Sequence, residues 1–228
     1  MSKKILFLHG YAQSASIFSA KTGGLRKSLQ KLGYETIYID APQKIQGDET
    51  HSSSAIDMYG WWPYVADGFN IDEGLTAVRQ EISKHEGEIE GIIGFSQGGG
   101  LTGIIASQYK EIIPSLKYII VFSGFKLRPK QYDSYYEGKI QVPSLHVIGE
   151  LDTVVEEERS LKLYDVSRDD NKTLLKHQGG HFVPNSRDFV TKVINWIQSI
   201  DTETVEKEEQ DINDDTDLLD AIDNIGKA

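Results

Sequence analysis

Six short runs of apolar, largely β-branched residues recur along the first 180 positions, and longer stretches of helical spacing lie between them. The runs are residues 4–8 (KILFL), 35–39 (ETIYI), 91–95 (GIIGF), 117–122 (KYIIVF), 144–148 (SLHVI) and 173–177 (TLLKH). Most are apolar almost throughout rather than alternating, as expected of strands covered on both faces. Between them, apolar residues return every three or four positions over 18–32, 71–82, 97–109, 156–164 and 186–200, marking helices. This alternation predicts an α/β domain over residues 1–200, with helices on both faces of a mostly parallel six-stranded sheet.

Two stretches break the rhythm. Residues 41–70 are long for a strand-to-helix connection and contain Tyr59-Gly60-Trp61-Trp62. Residues 126–141 carry Tyr132, Tyr135 and Tyr136. Both leave the carboxyl end of a strand, the edge where open α/β sheets bind ligands. Tyr59, Trp61 and Trp62 therefore have two equal readings: walls of an apolar substrate pocket, or aromatics that anchor the loop to the core.

Composition narrows the options. Hydrophobic residues make up 39% of the 228, enough for a sizeable core, and no apolar run reaches the length of a membrane span. The opening MSKKILFLHG reads as a first buried strand rather than a secretory signal, so the expected compartment is the cytoplasm, with the nucleus left open. With no cysteine, disulfides and thiolate chemistry drop out. Residues 201–228 hold 11 of the 35 acidic side chains against 2 lysines, leaving the other 200 positions close to neutral. A near-neutral body with an acidic tail gives no footprint for nucleic acid. The tail itself is expected to be disordered. Leu218, Leu219, Ile222 and Ile225 repeat at helical spacing near its end, either as a docking helix for a protein partner or, the favoured reading, as a solvated and weakly helical end.

The chemistry concentrates at Gly94-Phe95-Ser96-Gln97-Gly98, where an apolar strand hands over to a helix. A serine between glycines at a sharp strand–turn–helix corner is held in a strained conformation with its hydroxyl exposed. The helix opening behind it aims free N–H groups at the same spot. A serine needs a base, and the base an orienting acid, expected in this setting in the order serine, acid, histidine. Asp152, in IGELDTVV, and His181, in HQGGHFVPN, each follow a strand and fit that order. Rivals are weaker: His177 lies inside a strand, His9 precedes the serine, and Glu150 is closer to its strand than Asp152. His51, His85 and His146 read as structural or surface histidines. The oxyanion of acyl transfer would be met by the backbone N–H groups of Gln97 and of Tyr11, which follows Gly10 after the first strand. The Gln97 side chain is a candidate for holding that loop.

Together LFLHGYAQS, YGWW, GIIGFSQGGGLTG, VFSGFKL, VPSLHVIGELDTVV and HQGGHFVPNSRDFV resemble the fungal family of serine hydrolases. That family is similar to the ovarian-cancer-associated serine hydrolase and to fungal polyketide-releasing thioesterases. The resemblance implies a compact α/β-hydrolase fold, with the six strands ordered 2-1-3-4-5-6 across the sheet. It carries nucleophile, acid and base onto Ser96, Asp152 and His181. The implied reaction is hydrolysis of a carboxylic ester or thioester of an apolar acyl group, with a small-molecule substrate and no metal or organic cofactor. No cluster of Arg or Lys lies near the motifs, which favours a fatty or polyketide-like acyl group over an acidic one. The alternative is a chain that kept the fold as a binding or adaptor protein.

Overall fold

In the computed structural model, residues 3–45, 57–63 and 69–202 are described. The acidic tail, with its candidate helix at 218–225, lies outside them. The sheet consists of β1 (Lys3–Leu8), β2 (Tyr34–Ile39), β5 (Ile89–Phe95), β6 (Tyr118–Phe122), β7 (Ser144–Gly149) and β8 (Lys172–His177). Their order is β2-β1-β5-β6-β7-β8, and every neighbouring pair is parallel. This is the six-stranded order expected above. A separate antiparallel ribbon pairs β3 (Gln43–Ile45) with β4 (Met58–Gly60), which the apolar pattern did not foreshadow.

The connections assign the faces. From β1 the chain crosses to β2 through α1 (Ala15–Lys21) and α2 (Gly23–Lys31). It then reverses, passing through α3 (Asp72–Ser83), α4 (Gln97–Ser107), α5 (Tyr109–Ile112) and α6 (Glu157–Tyr164) on its way to β8. Right-handed crossovers running in opposite directions put these two groups of helices on opposite faces. Side chains of β1 alternate accordingly. Phe7 meets Phe18 of α1 and stacks on Tyr38, whereas Leu6 and Leu8 join the core with Leu75, Leu101 and Ile104. The reversal falls between β1 and β5, where the strand order opens a crevice at the carboxyl edge.

The expected helix at 18–32 is two helices. It begins earlier because the Ser14 hydroxyl accepts the Ile17 N–H as an N-cap. It breaks at Thr22, which closes α1 and opens α2 while its hydroxyl donates to the Phe18 carbonyl. Residues 126–141 include a 3₁₀ helix, Lys130–Tyr136, whose Tyr132 and Tyr136 are buried. A final helix, α7, covers 187–202. The chain divides into two compact units, Met1–Val190 and Thr191–Ala228.

Candidate active site

Ser96 links β5 to α4 at φ 53° and ψ −114°, left-handed backbone that a residue with a Cβ rarely adopts. Hydrogen bonds on both sides hold it there. Its N–H donates to the Phe122 carbonyl of β6 at 2.9 Å, and its carbonyl accepts from Gly100 N–H at 3.0 Å as α4 begins. The flanking glycines permit the approach. A Cβ on Gly98 would lie 2.2 Å from the Leu8 carbonyl oxygen, and one on Gly94 would lie 2.5 Å from that of Gly98. Both distances are far inside van der Waals contact, so the corner closes only with bare backbone at these two positions.

Two loops bring the remaining groups to Ser96. Asp152 follows β7 and His181 follows β8. His181 Nδ1 lies 2.7 Å from Asp152 Oδ2, and its Nε2 lies 3.0 Å from Ser96 Oγ. A carboxylate can only accept, so Nδ1–H donates to Asp152 and Nε2 is left to accept the Ser96 proton. Asp152 is buried, and its Oδ1 accepts from the Val154 and Val155 N–H groups at 2.9 Å each. Burial alone would raise its pKa; the hydrogen bonds from Val155 N–H and His181 outweigh it and hold the carboxyl below its ordinary value. The Phe95 ring packs beside His181, with centroids 4.8 Å apart.

The rival residues stand elsewhere. Glu150 is exposed. His177 accepts the Gly179 N–H at 3.2 Å and so shapes the loop that presents His181. His146 is buried on Ser167. His9 is fully buried, and burial lowers its pKa. The Ala41 N–H donates to its Nε2 at 3.0 Å, so Nδ1 carries the proton and donates to the Gly10 carbonyl at 2.7 Å. In a trans peptide the C=O and N–H point opposite ways, so this bond turns the Tyr11 N–H away from His9.

Tyr11, Ser96 and Gln97 line a cavity of about 290 Å³. Of the three aromatics singled out above, Trp62 lines it, stacked on Phe69 at 5.2 Å. Trp61 and Tyr59 do not. Trp61 is fully buried, its indole N–H donating to the His9 carbonyl at 2.8 Å, and Tyr59 belongs to β4. The Gln97 side chain binds this aromatic segment rather than the loop after β1. Its Oε1 accepts from Trp61 N–H at 2.7 Å, and its Nε2 donates to the Trp62 carbonyl at 2.8 Å.

Several wall residues escaped sequence reasoning: Phe69, Phe125, Val154, Val155, Arg128 and Arg159. The two arginines correct the expectation that no cluster of Arg or Lys lies near the motifs. They are distant from Ser96 in sequence, and folding brings them to the cavity. Arg159 lies over the Phe125 ring, 4.4 Å from its centroid. Val154 was the legible one, being apolar and two residues past Asp152. Among the described residues, no cluster of His, Asp or Glu could hold a metal ion, and no helix is long and apolar enough to cross a membrane.

Residues 1–193 match the family described as "Serine hydrolase (FSH1)". The chain belongs to this family. It is therefore an enzyme, a serine hydrolase. It is 42% identical to Family of serine hydrolases 3 of Saccharomyces cerevisiae, over 99% of this chain and 98% of that protein. It is 35% identical to Esterase OVCA2 of Danio rerio, over 79% of this chain and 90% of that protein. Among solved structures it resembles esterase PE8, with a TM-score of 0.65 and 20% identity, over 87% of this chain and 93% of that one. At that identity the likeness speaks for the α/β-hydrolase fold alone.

Proposed function

We propose that this serine hydrolase cleaves a carboxylic ester or thioester of an apolar acyl group through an acyl-enzyme on Ser96. The observation that carries this reading is the unbroken chain from Ser96 Oγ through His181 to Asp152, at 3.0 and 2.7 Å. As Ser96 Oγ bonds to the carbonyl carbon, its proton passes to His181 Nε2, and Asp152 stabilises the resulting imidazolium. The carbonyl oxygen takes the negative charge and is met by the Gln97 and Tyr11 N–H groups, each worth about 3–4 kcal/mol in comparable sites. Collapse breaks the bond to the alcohol or thiol, which leaves with the proton from His181. Water, deprotonated by His181, then releases the acid and restores Ser96.

The acyl group lies against Trp62, Phe69 and Phe125, an aromatic wall suited to a hydrocarbon chain. Arg159 completes this wall with its guanidinium over the Phe125 ring. The name Esterase OVCA2 borne by the 35% identical relative supports the ester reading. The test is labelling by a fluorophosphonate probe, with the adduct mapped by mass spectrometry. A single adduct on Ser96, lost in Ser96→Ala and His181→Ala, is the expected result. A folded wild type that takes no label would overturn the reading in favour of a binding protein.

A further inference from the structure

Among the described residues that line the Ser96 cavity, Arg128 and Arg159 carry charge and no Asp or Glu does. The chain as a whole is acidic, at a formal charge of −11, so two cations and no acid here run against its general balance. A cleft lined by one sign of charge and walled by apolar groups focuses its field on whatever enters. Such a wall favours an anion.

Both side chains are within reach of an occupant. Arg159 is half-buried, with its guanidinium 4.4 Å from the centroid of the Phe125 ring, and both residues line the cavity. Phe125 meets Trp62 edge to face at 6.3 Å, so the cation continues the aromatic wall. Arg128 is exposed beside the buried Leu127, and it makes no hydrogen bond or ion pair among the described residues. Asp133, the acid nearest to it in sequence, is paired with Lys126. Beside Arg159, Glu157 pairs with Lys176 at 2.5 Å and Glu158 with Lys162 at 2.8 Å, while Glu156 stands exposed ahead of α6. The neighbouring lysines therefore take up most of the local negative charge, and Arg128 is left with its donors unclaimed.

We infer that Arg128 and Arg159 form an anion subsite, and that the substrate carries a carboxylate or phosphate a few bonds from the scissile carbonyl. A planar guanidinium suits either group, since its paired N–H donors match two oxygens at once. The inference rests on the ester or thioester reading above and refines it. The substrate is apolar where it meets Trp62, Phe69 and Phe125, and charged where it meets the arginines. The anion belongs to the far end of the acyl group or to the leaving alcohol, and the two sources are separable by experiment.

The test measures kcat/KM on paired substrates that differ in one charge. For the acyl source, each monoethyl ester from succinate to suberate is set against its neutral ω-amide. For the alcohol source, 1-butyrylglycerol 3-phosphate is set against 1-butyrylglycerol. The anionic-to-neutral ratio is then compared between wild type and variants, so that intrinsic reactivity cancels. Arg128→Gln is expected to lower the ratio about tenfold, the low end for a hydrogen bond to a charged group because Arg128 is exposed. Arg128→Lys, which keeps the charge, is expected to retain more of it, and Arg159→Gln to lower it as well. Raising the ionic strength to about 1 M, where the Debye length is about 3 Å, should shrink the wild-type ratio toward that of Arg128→Gln. A response in the first set identifies an acyl carboxylate; a response in the second, a phosphate on the leaving group. Should Arg159→Gln fail to fold, Arg128→Gln and the salt dependence decide alone. Ratios that are the same in wild type and Arg128→Gln for every pair overturn this inference and leave the ester reading intact. So does labelling of Ser96 by the fluorophosphonate without turnover of any anionic member. Absence of turnover together with absence of labelling overturns both.

Discussion

Ser96 and Trp62 border the same cavity but are held by different means. Ser96 is fixed by main chain: strand pairing of β5 with β6, its own N–H on Phe122, and the first turn of α4. Trp62 belongs to a segment tied down by side chains, namely the two ends of the Gln97 amide and the Trp61 indole on His9. Main-chain pairing tolerates many sequences, whereas the wall beyond the β3–β4 ribbon leans on the Gln97 amide, the Trp61 indole and the Trp62–Phe69 stack. The reacting atoms are therefore insulated from changes that would reshape the pocket.

The strongest challenge to this contrast removes a member of the reacting set without moving backbone. Asp152→Asn should cut kcat by about 10⁴, the scale seen when such an acid no longer fixes the histidine tautomer. Steady-state kinetics should show KM nearly unchanged. A comparable loss in KM would mean that pocket and chemistry are not separable.

Gln97→Leu strikes the wall instead. It leaves the buried Trp61 N–H and Trp62 carbonyl without their partners, at about 1–3 kcal/mol each. Thermal unfolding should register the loss, while Ser96 should still take a fluorophosphonate. Trp62→Ala is milder. It should narrow the preference for long over short acyl chains by roughly tenfold, in line with the apolar area removed. Kinetics on a series of chain lengths would reveal it.

The last test concerns acid, and its effect at neutral pH is nil. Burial of His146 in β7, with Lys172 adding repulsion, pushes its pKa down to about 3. The unfolded chain binds that proton near its ordinary value of 6.5, so stability is full above pH 6.5 and falls as pH drops toward 3. The slope from this one group is about 1.4 kcal/mol per pH unit. Denaturation across this range should show a shallower slope in His146→Gln, placing the acid sensitivity in the sheet rather than in the wall.

Legibility in the sequence follows the same division. Continuous apolar runs give parallel strands because covered strands need little else. Ser96, Asp152 and His181 could be proposed because each follows such a run, and parallel strands bring their carboxyl ends to one edge. The walls were less readable. Trp61 and Trp62 are neighbours with opposite fates, one in the core and one on the cavity, and no periodicity distinguishes them in irregular chain. Phe69, Arg128 and Arg159 reach the cavity from three separate connections. The break at Thr22 had a readable mark in the Gly23-Gly24 pair that follows it, a turn signal inside an otherwise continuous helical stretch.

The backbone at Ser96 has an evolutionary implication. Held at φ 53°, a residue with a Cβ carries strain on the order of 1–3 kcal/mol, which glycine would not. Ser96→Gly should therefore give an inert protein that melts a few degrees higher, at about 2–4 °C per kcal/mol for a chain of this size. Selection for stability alone would draw this position toward glycine. A serine retained there is what the proposed turnover on Ser96 would require.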